Sequence, residues 1–308
     1  MQPNESIVVS ISRTRDPLKE NPDWLTAALR GQVPVRLSRG HPQQPLDPGA
    51  LGAVVLWTKD PRALVEHAGL REALSALHGQ GIAVVLQLTV TGLGGTPVEP
   101  GIPAWPEVRD SLARVLGQGV LPAAAVKLRY DPVVSLGDLL GHRWSNRDEG
   151  VLTRVLDAFA GLGVGRVTAS LAQIDEYPRV ARRLVRLGLT HDPGAPGEGR
   201  AFLVSAAALC AERGLAYSTC VFPPDATSLH EGCIDGRWVN ELLQRSGSPR
   251  RVTCTLHNAR GRQRPDCRCT FSYDLGASTG IGHCFDARER WCAYCYSASA
   301  TRGVTEPR

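Results

Sequence analysis

The chain has 308 residues, 43% hydrophobic and 21% charged, with a formal net charge of +5. That composition can bury a substantial core and excludes wholesale disorder, and no apolar run approaches the roughly 20 residues of a membrane helix. The opening MQPNESIVVSISRTRD reaches charge too soon for a secretory leader, so a cytoplasmic protein is expected, in which nine cysteines point to metal or redox chemistry rather than disulfides.

Apolar runs of strand length fall at 6–12, 33–38, 53–58, 82–90, 124–130, 166–172, 215–221 and 251–257. Most are continuous rather than alternating, the pattern of strands covered on both faces, so parallel pairing is expected. Between them, 61–79, 105–117, 148–162, 174–188, 200–213 and 236–246 carry apolar residues at helical spacing, and Asp60 before Pro61 is a helix-start signal. Eight strands with intervening helices predict an α/β fold, a (β/α)8-type, TIM-like barrel over residues 1–257. A cysteine-rich C-terminal extension follows over 258–308. A doubly wound open sheet has the same periodicity; the barrel is preferred because the count reaches eight and no glycine-rich dinucleotide loop follows the first strand. The Gly/Pro-rich stretches 92–106 and 190–199 read as long loops.

Barrels of this type work at the C-terminal ends of their strands. Here those ends carry Ser12, Arg13, Arg15 and Asp16; Arg36; Thr58, Lys59 and Asp60; Gln87, Thr89 and Thr91; Arg129 and Asp131; Ser170; and Cys220. Strand ends meet solvent, so the plain reading of any one of them is a solvated side chain or a cap, and Asp16 and Asp60, each before a proline, suit that reading. Lys59, Arg129 and Asp131 each follow a buried apolar strand and converge on one mouth, which makes them the catalytic candidates. Lys59 and Arg129 are placed there to bind an anionic group. Arginine supplies nearly all the positive charge, only Lys19, Lys59 and Lys127 being lysines, which suits a GC-rich genome and is discounted as a nucleic-acid signal.

The cysteines carry the strongest chemical signal. Cys292 and Cys295 bracket two residues in CAYC, and Cys284 precedes Cys292 with seven residues between. Three thiolates hold three irons of a [4Fe–4S] cluster and leave the fourth iron open. Cys220, Cys233, Cys267 and Cys269 complete either a second, fully ligated cluster or a structural zinc site. Zinc also competes for the terminal group, with His283 as a fourth ligand. Cys210, in AALCAERG, reads as a small buried hydrophobe, and Cys254 as a packed residue of the eighth strand.

The chain resembles the family called domain of unknown function 1848 over nearly its full length. The resemblance rests on SISRTRD (10–16), WTKDP (57–61), QLTVTGLG (87–94), EPGIP (99–103), LRYDP (128–132), IDEYPR (174–179), STC (218–220), GCIDG (232–236), CRC (267–269), SYDLGA (272–277) and CAYCYSAS (292–299), in that order. It implies a barrel whose C-terminal cysteines are similar to a radical S-adenosylmethionine cluster motif, three cysteines separated by three and then two residues with an aromatic before the last. Tyr294 takes the aromatic place, and the first gap is seven residues, within which FDARERW lengthens the loop. Ordinary enzymes of that class carry the motif after the first strand, which here ends in SRTRD. The thiamin pyrimidine synthase family instead carries its cluster cysteines at the end of a barrel chain, and by analogy the tail here lies over Lys59, Arg129 and Cys220.

The resemblance thus implies a [4Fe–4S] cluster on Cys284, Cys292 and Cys295 whose open iron binds S-adenosylmethionine and yields a 5′-deoxyadenosyl radical for a small anionic substrate. Arg13, Arg15, Thr58, Gln87 and Tyr294 would contact that cofactor. An auxiliary cluster would sit on Cys220, Cys233, Cys267 and Cys269, and electrons would come from a donor such as ferredoxin or flavodoxin. One other reading keeps the clusters but uses the open iron as a Lewis acid or in desulfuration. Another is a zinc-stabilised nucleic-acid-binding protein that uses the Arg-rich stretch 248–269, although few aromatics interleave there for base stacking.

Overall fold

A computed structural model describes residues 5–37, 40–195, 197–220, 231–256, 267–281, 284 and 292–296. Its main sheet is parallel and runs Ala216–Thr219, Arg166–Leu171, Val126–Val133, Ala83–Thr89, Leu51–Thr58, Glu5–Ile11 and Arg251–Val252. The last of these pairs with the start of Glu5–Ile11, and Tyr273–Asp274 pairs with the same strand further along, at Val9 and Ser10. From Glu5 to Thr219 neighbours in the sheet are neighbours in the chain, without the order reversal of a doubly wound sheet. The architecture is therefore mixed α/β, a curled half-barrel of seven parallel strands. Among the described residues no ladder joins Ala216–Thr219 to Arg251–Val252, so the ring expected from eight strands is not closed there.

Alternate strand residues face opposite ways, and the two faces bury different things. Val9, Ile11, Val54, Leu56, Leu86, Leu88, Leu128 and Tyr130 join one large core with the helices Pro22–Leu29, Ala68–Gly79, Trp105–Gly117, Glu149–Ala160 and Glu198–Glu212. Cys210 is fully buried in this core, as expected. Val8, Ala53, Val55, Trp57, Ala83 and Val85 point the other way and pack on Trp238, Val239 and Leu243 of the helix Gly236–Arg245. This last helix thus fills the inner side of the sheet instead of joining the outer layer.

A buried polar network ties that plug to the strands. Lys127, fully buried, donates to the Gly232 carbonyl at 3.1 Å and stands 3.6 Å from the Glu231 carboxylate, which also pairs with Arg166 at 2.8 Å. Both cations lie over the Trp238 ring, at 5.1 and 5.3 Å.

Several expected elements are corrected. The 33–38 run forms only Val35–Arg36, which pairs antiparallel with Gln43–Gln44 outside the main sheet, because Pro34 has no N–H to give to a central ladder. Of the 251–257 run only Arg251–Val252 joins the main sheet, Leu256 makes an isolated antiparallel bridge to Thr270, and Cys254 between them is exposed rather than packed. The 61–79 helix is broken into Ala63–Glu66 and Ala68–Gly79, with the His67 side chain capping the second through the Leu70 N–H at 3.0 Å. Two helices go unanticipated, Pro17–Glu20 and Pro22–Leu29, as does an antiparallel sheet of Leu189–His191, Ser135–Asp138 and Arg143–Ser145 that takes up the start of the expected 190–199 loop. Among the described residues no helix is long and apolar enough to cross a membrane.

Candidate functional site

The C-terminal ends of the parallel strands open on one cavity of about 470 Å³. Seven cysteines line it, Cys220, Cys233, Cys267, Cys269, Cys284, Cys292 and Cys295; Cys210 and Cys254 do not. None of the nine forms a disulfide.

Four of the seven gather on the side of the inner plug. Cys269 shares hydrogen bonds with Cys233 and Cys267, and Cys220 lies close to Cys267. The Cys269 contact brings the Cys267 thiol down to about 7 against the opposing effect of burial. Backbone approach builds this group: a Cβ on Gly232 would stand 2.4 Å from the Cys269 amide nitrogen, and one on Gly236 2.2 Å from the Thr253 carbonyl oxygen. Gln87, fully buried and not among the cavity's lining residues, donates its amide to the Cys233 carbonyl at 2.6 Å.

Arg13 stands beside the same thiols. Its Nη2 donates to Ser272 Oγ at 2.8 Å, while Nη1 is buried without a hydrogen-bond partner, 3.8 Å from Asp274. Burial works against its charge, but Cys269, Asp274, Cys267 and Cys233 together outweigh it and raise the guanidinium pKa. Asp274 also accepts from Ser10 Oγ at 2.9 Å, Ser12 Oγ at 3.1 Å and the Arg13 N–H at 3.0 Å, so SISRTRD and SYDLGA are two halves of one knot.

The other three cysteines lie toward the tail. The Cys295 N–H donates to the Cys292 carbonyl at 3.0 Å and closes the CAYC turn, and Cys284 is close to Cys295 and Asp16. Burial pushes the Cys284 thiol up, and the Cys292 thiol up to about 12. The tail turn is pinned at several points. The Ala293 N–H donates to the Val98 carbonyl at 3.0 Å, and Tyr296 leans on Tyr177 with ring centroids 5.7 Å apart. Arg183 donates from Nε to the Ala293 carbonyl at 2.9 Å and from Nη2 to that of Cys295.

Lys59 meets this turn from below. Its ammonium donates to the Tyr294 hydroxyl at 2.8 Å, to the Glu99 carboxylate and to the Cys292 sulfur, and Tyr294 in turn donates to Glu99. Desolvation opposes the charge on Lys59, yet Cys292, Glu99 and Tyr294 raise its pKa well above the ordinary value. The tail turn thus meets Lys59, which is already engaged and does not offer a free cation to a ligand.

Arg129 is the other expected anion binder. It pairs with Asp131, which also accepts from Ser170 Oγ, and lies over the Trp57 ring at 4.6 Å. Its Nε is buried without a partner. Thr58 lines the cavity, but its hydroxyl donates to Asp16 at 2.8 Å. Asp16 is at once the cap of Pro17–Glu20 and a wall of the site, with burial pushing its carboxyl up to about 6. Arg15 lies near Cys284, half-buried, its pKa lowered chiefly by desolvation.

Glu99, Arg183, Asp274 and Trp57 are the functional residues that sequence reasoning passed over. Three sit inside quoted motifs, EPGIP, SYDLGA and WTKDP, but Arg183 lies in the expected 174–188 helix, outside every quoted motif and one of four arginines there. His283, the expected alternative ligand, and the FDARERW loop lie outside the described residues. Among the described residues no three His, Cys, Asp or Glu side chains converge on a point that would hold a single metal ion. A cluster makes a different demand, since each thiolate binds its own iron.

A family model described as a domain of unknown function, DUF1848, matches residues 8–297. No curated protein matches the chain. Among solved structures, the D-hydantoinase from a Bacillus sp. AR9 matches at 14% identity and a TM-score of 0.27, covering 65% of this chain and 38% of its own, a likeness that supports no inference about chemistry.

Proposed function

The chain belongs to the DUF1848 family, and we propose that it is a cytoplasmic iron–sulfur enzyme of a non-standard radical S-adenosylmethionine type, acting on a small anionic substrate. The observation that carries this reading is the sorting of the cysteines: residues spread from 220 to 295 gather around one cavity as a group of four and a group of three, and the two remaining cysteines stay out. Four thiolates complete a [4Fe–4S] cluster, and three leave one iron open. Cys220, Cys233, Cys267 and Cys269 would hold the first, and Cys284, Cys292 and Cys295 the second. Bound there, the open-iron cluster would supply the electron that cleaves the sulfonium of S-adenosylmethionine into methionine and a 5′-deoxyadenosyl radical.

The protein's own groups suit that load. Arg13 and Lys59 set a buried cation beside each thiol group, where the donor set is anionic once ligated. Arg183, Tyr294 and Tyr296 hold the CAYC turn at the mouth. Arg129, braced by Asp131 and lying over Trp57, lines the cavity where a substrate anion would bind. A cavity of about 470 Å³ falls within the range of small-molecule sites, roughly 300–1,000 Å³.

The test is electron paramagnetic resonance of the anaerobic, reduced protein with and without S-adenosylmethionine. The expected result is a four-iron signal that changes shape when S-adenosylmethionine is added and that loses this response in Cys292→Ala. An iron signal indifferent to S-adenosylmethionine would leave the clusters in place but remove the radical reading.

A further inference from the structure

The chemistry just proposed consumes one electron at each cleavage, so each turnover draws an electron from outside the chain. We propose that the helix Pro178–Arg186, with the neighbouring hairpin tip at Leu139 and Leu140, is the docking surface for an acidic one-electron carrier protein. The inference rests on the cluster reading above.

Two features of the surface point to such a partner. The first is charge. The helix PRVARRLVR carries Arg179, Arg182, Arg183 and Arg186 and no acidic residue; Asp175 and Glu176 precede it, at its N-terminal end. Val180 and Leu184 are buried beneath it, so Arg182, Val185 and Arg186, spaced three and four apart, share the exposed face. The second is unpartnered apolar surface within that charge. Leu139, Leu140 and Val185 are 87, 83 and 74% exposed. Leu189, three residues after the helix, pairs antiparallel with Asp138, the residue before Leu139, so the hairpin tip stands next to the C-terminal end of the helix. A basic helix face with exposed apolar side chains on and beside it complements the acidic surface of a small electron carrier, and fields of that sign steer encounter.

Position supplies the third observation. Arg183 belongs to the same helix, and its guanidinium donates to the Ala293 and Cys295 carbonyls. A protein seated on the exposed arginines is thus separated from the three-cysteine group by the thickness of one helix and one side chain. On the side of the four-cysteine group, Arg166 is engaged by Glu231 and Glu241.

The experiment measures two quantities on the anaerobically loaded full chain and on an R179E/R182E/R186E variant, whose replaced side chains are all exposed. One is the binding of flavodoxin by calorimetry at low and high salt; the other is the rate of iron reduction by reduced flavodoxin, with dithionite as a reductant that needs no docking. The expected outcome is salt-sensitive binding by the native chain and a reduction rate that falls roughly tenfold or more in the variant, with dithionite equally effective on both. Equal flavodoxin binding and equal rates in the two proteins overturn the surface, as does tight binding of an RNA probe that displaces flavodoxin. Failure of dithionite to reduce any iron overturns the cluster reading instead, so the two failures are told apart.

Discussion

Arg13 is a buried cation of the mouth, with one nitrogen left over beside three thiols. A buried positive charge favours the more negative, reduced state of a cluster, so Arg13→Met is expected to move the midpoint potential of the four-cysteine cluster downward while Arg13→Lys preserves much of it. Redox titration followed by electron paramagnetic resonance reads that shift. The cysteines make a sharper prediction. Cys267→Ala should remove about half the iron, Cys292→Ala the other half, and Cys210→Ala or Cys254→Ser none, with iron counted after anaerobic purification. Cys210 has a separate role in stability. Burial pushes its thiol from the ordinary 9.0 up to about 12, so the folded state holds that proton more tightly than the unfolded chain does. That contribution is fully present below pH 9.0 and is lost as pH rises toward about 12, and Cys210→Val should flatten the alkaline fall in a urea-unfolding series.

At the scale of elements, the inner helix Gly236–Arg245 is what separates this fold from an outer ring of helices around a packed barrel. Trp238 fills the inner face under the buried Lys127 and the half-buried Arg166, so Trp238→Ala should cost about 3–5 kcal/mol in urea unfolding. Gly232→Ala should act locally, since its Cβ collides with the Cys269 backbone, and should deplete the four-cysteine iron while leaving the response to S-adenosylmethionine. Much of this scale was legible in the sequence. Continuous apolar runs marked the long parallel strands, and helical spacing marked the helices from 105 to 246, because burial imposes those periods directly. The helices from Pro17 to Leu29 escaped because four and eight residues are too few to show a period, even though Asp16 and Asn21 cap them. The inward placement of Gly236–Arg245 was not legible either: the same amphipathic pattern serves the inside or the outside of a sheet, and only the complementary Lys127, Arg166 and Glu231 decide between them.

Over the whole molecule, motifs far apart in the chain turn out to be partners. SISRTRD closes on SYDLGA through Asp274, GCIDG on CRC through Gly232, and WTKDP on EPGIP and CAYC through Lys59, Glu99 and Tyr294. The cysteines and most strand-end residues that line the cavity were therefore readable from spacing and strand ends, whereas the pairing was not, because it is made by contacts between residues up to 283 positions apart. The half-barrel serves to present one mouth to which both cysteine groups are delivered by segments that follow the long strands. The most direct measurement of that account is the iron, sulfide and zinc content of the anaerobically purified chain. About eight irons and eight sulfides per chain, with negligible zinc, are the expected result, since each cubane carries four of each. Stoichiometric zinc with no iron would contradict it and would leave the seven cysteines as a structural clasp over the mouth.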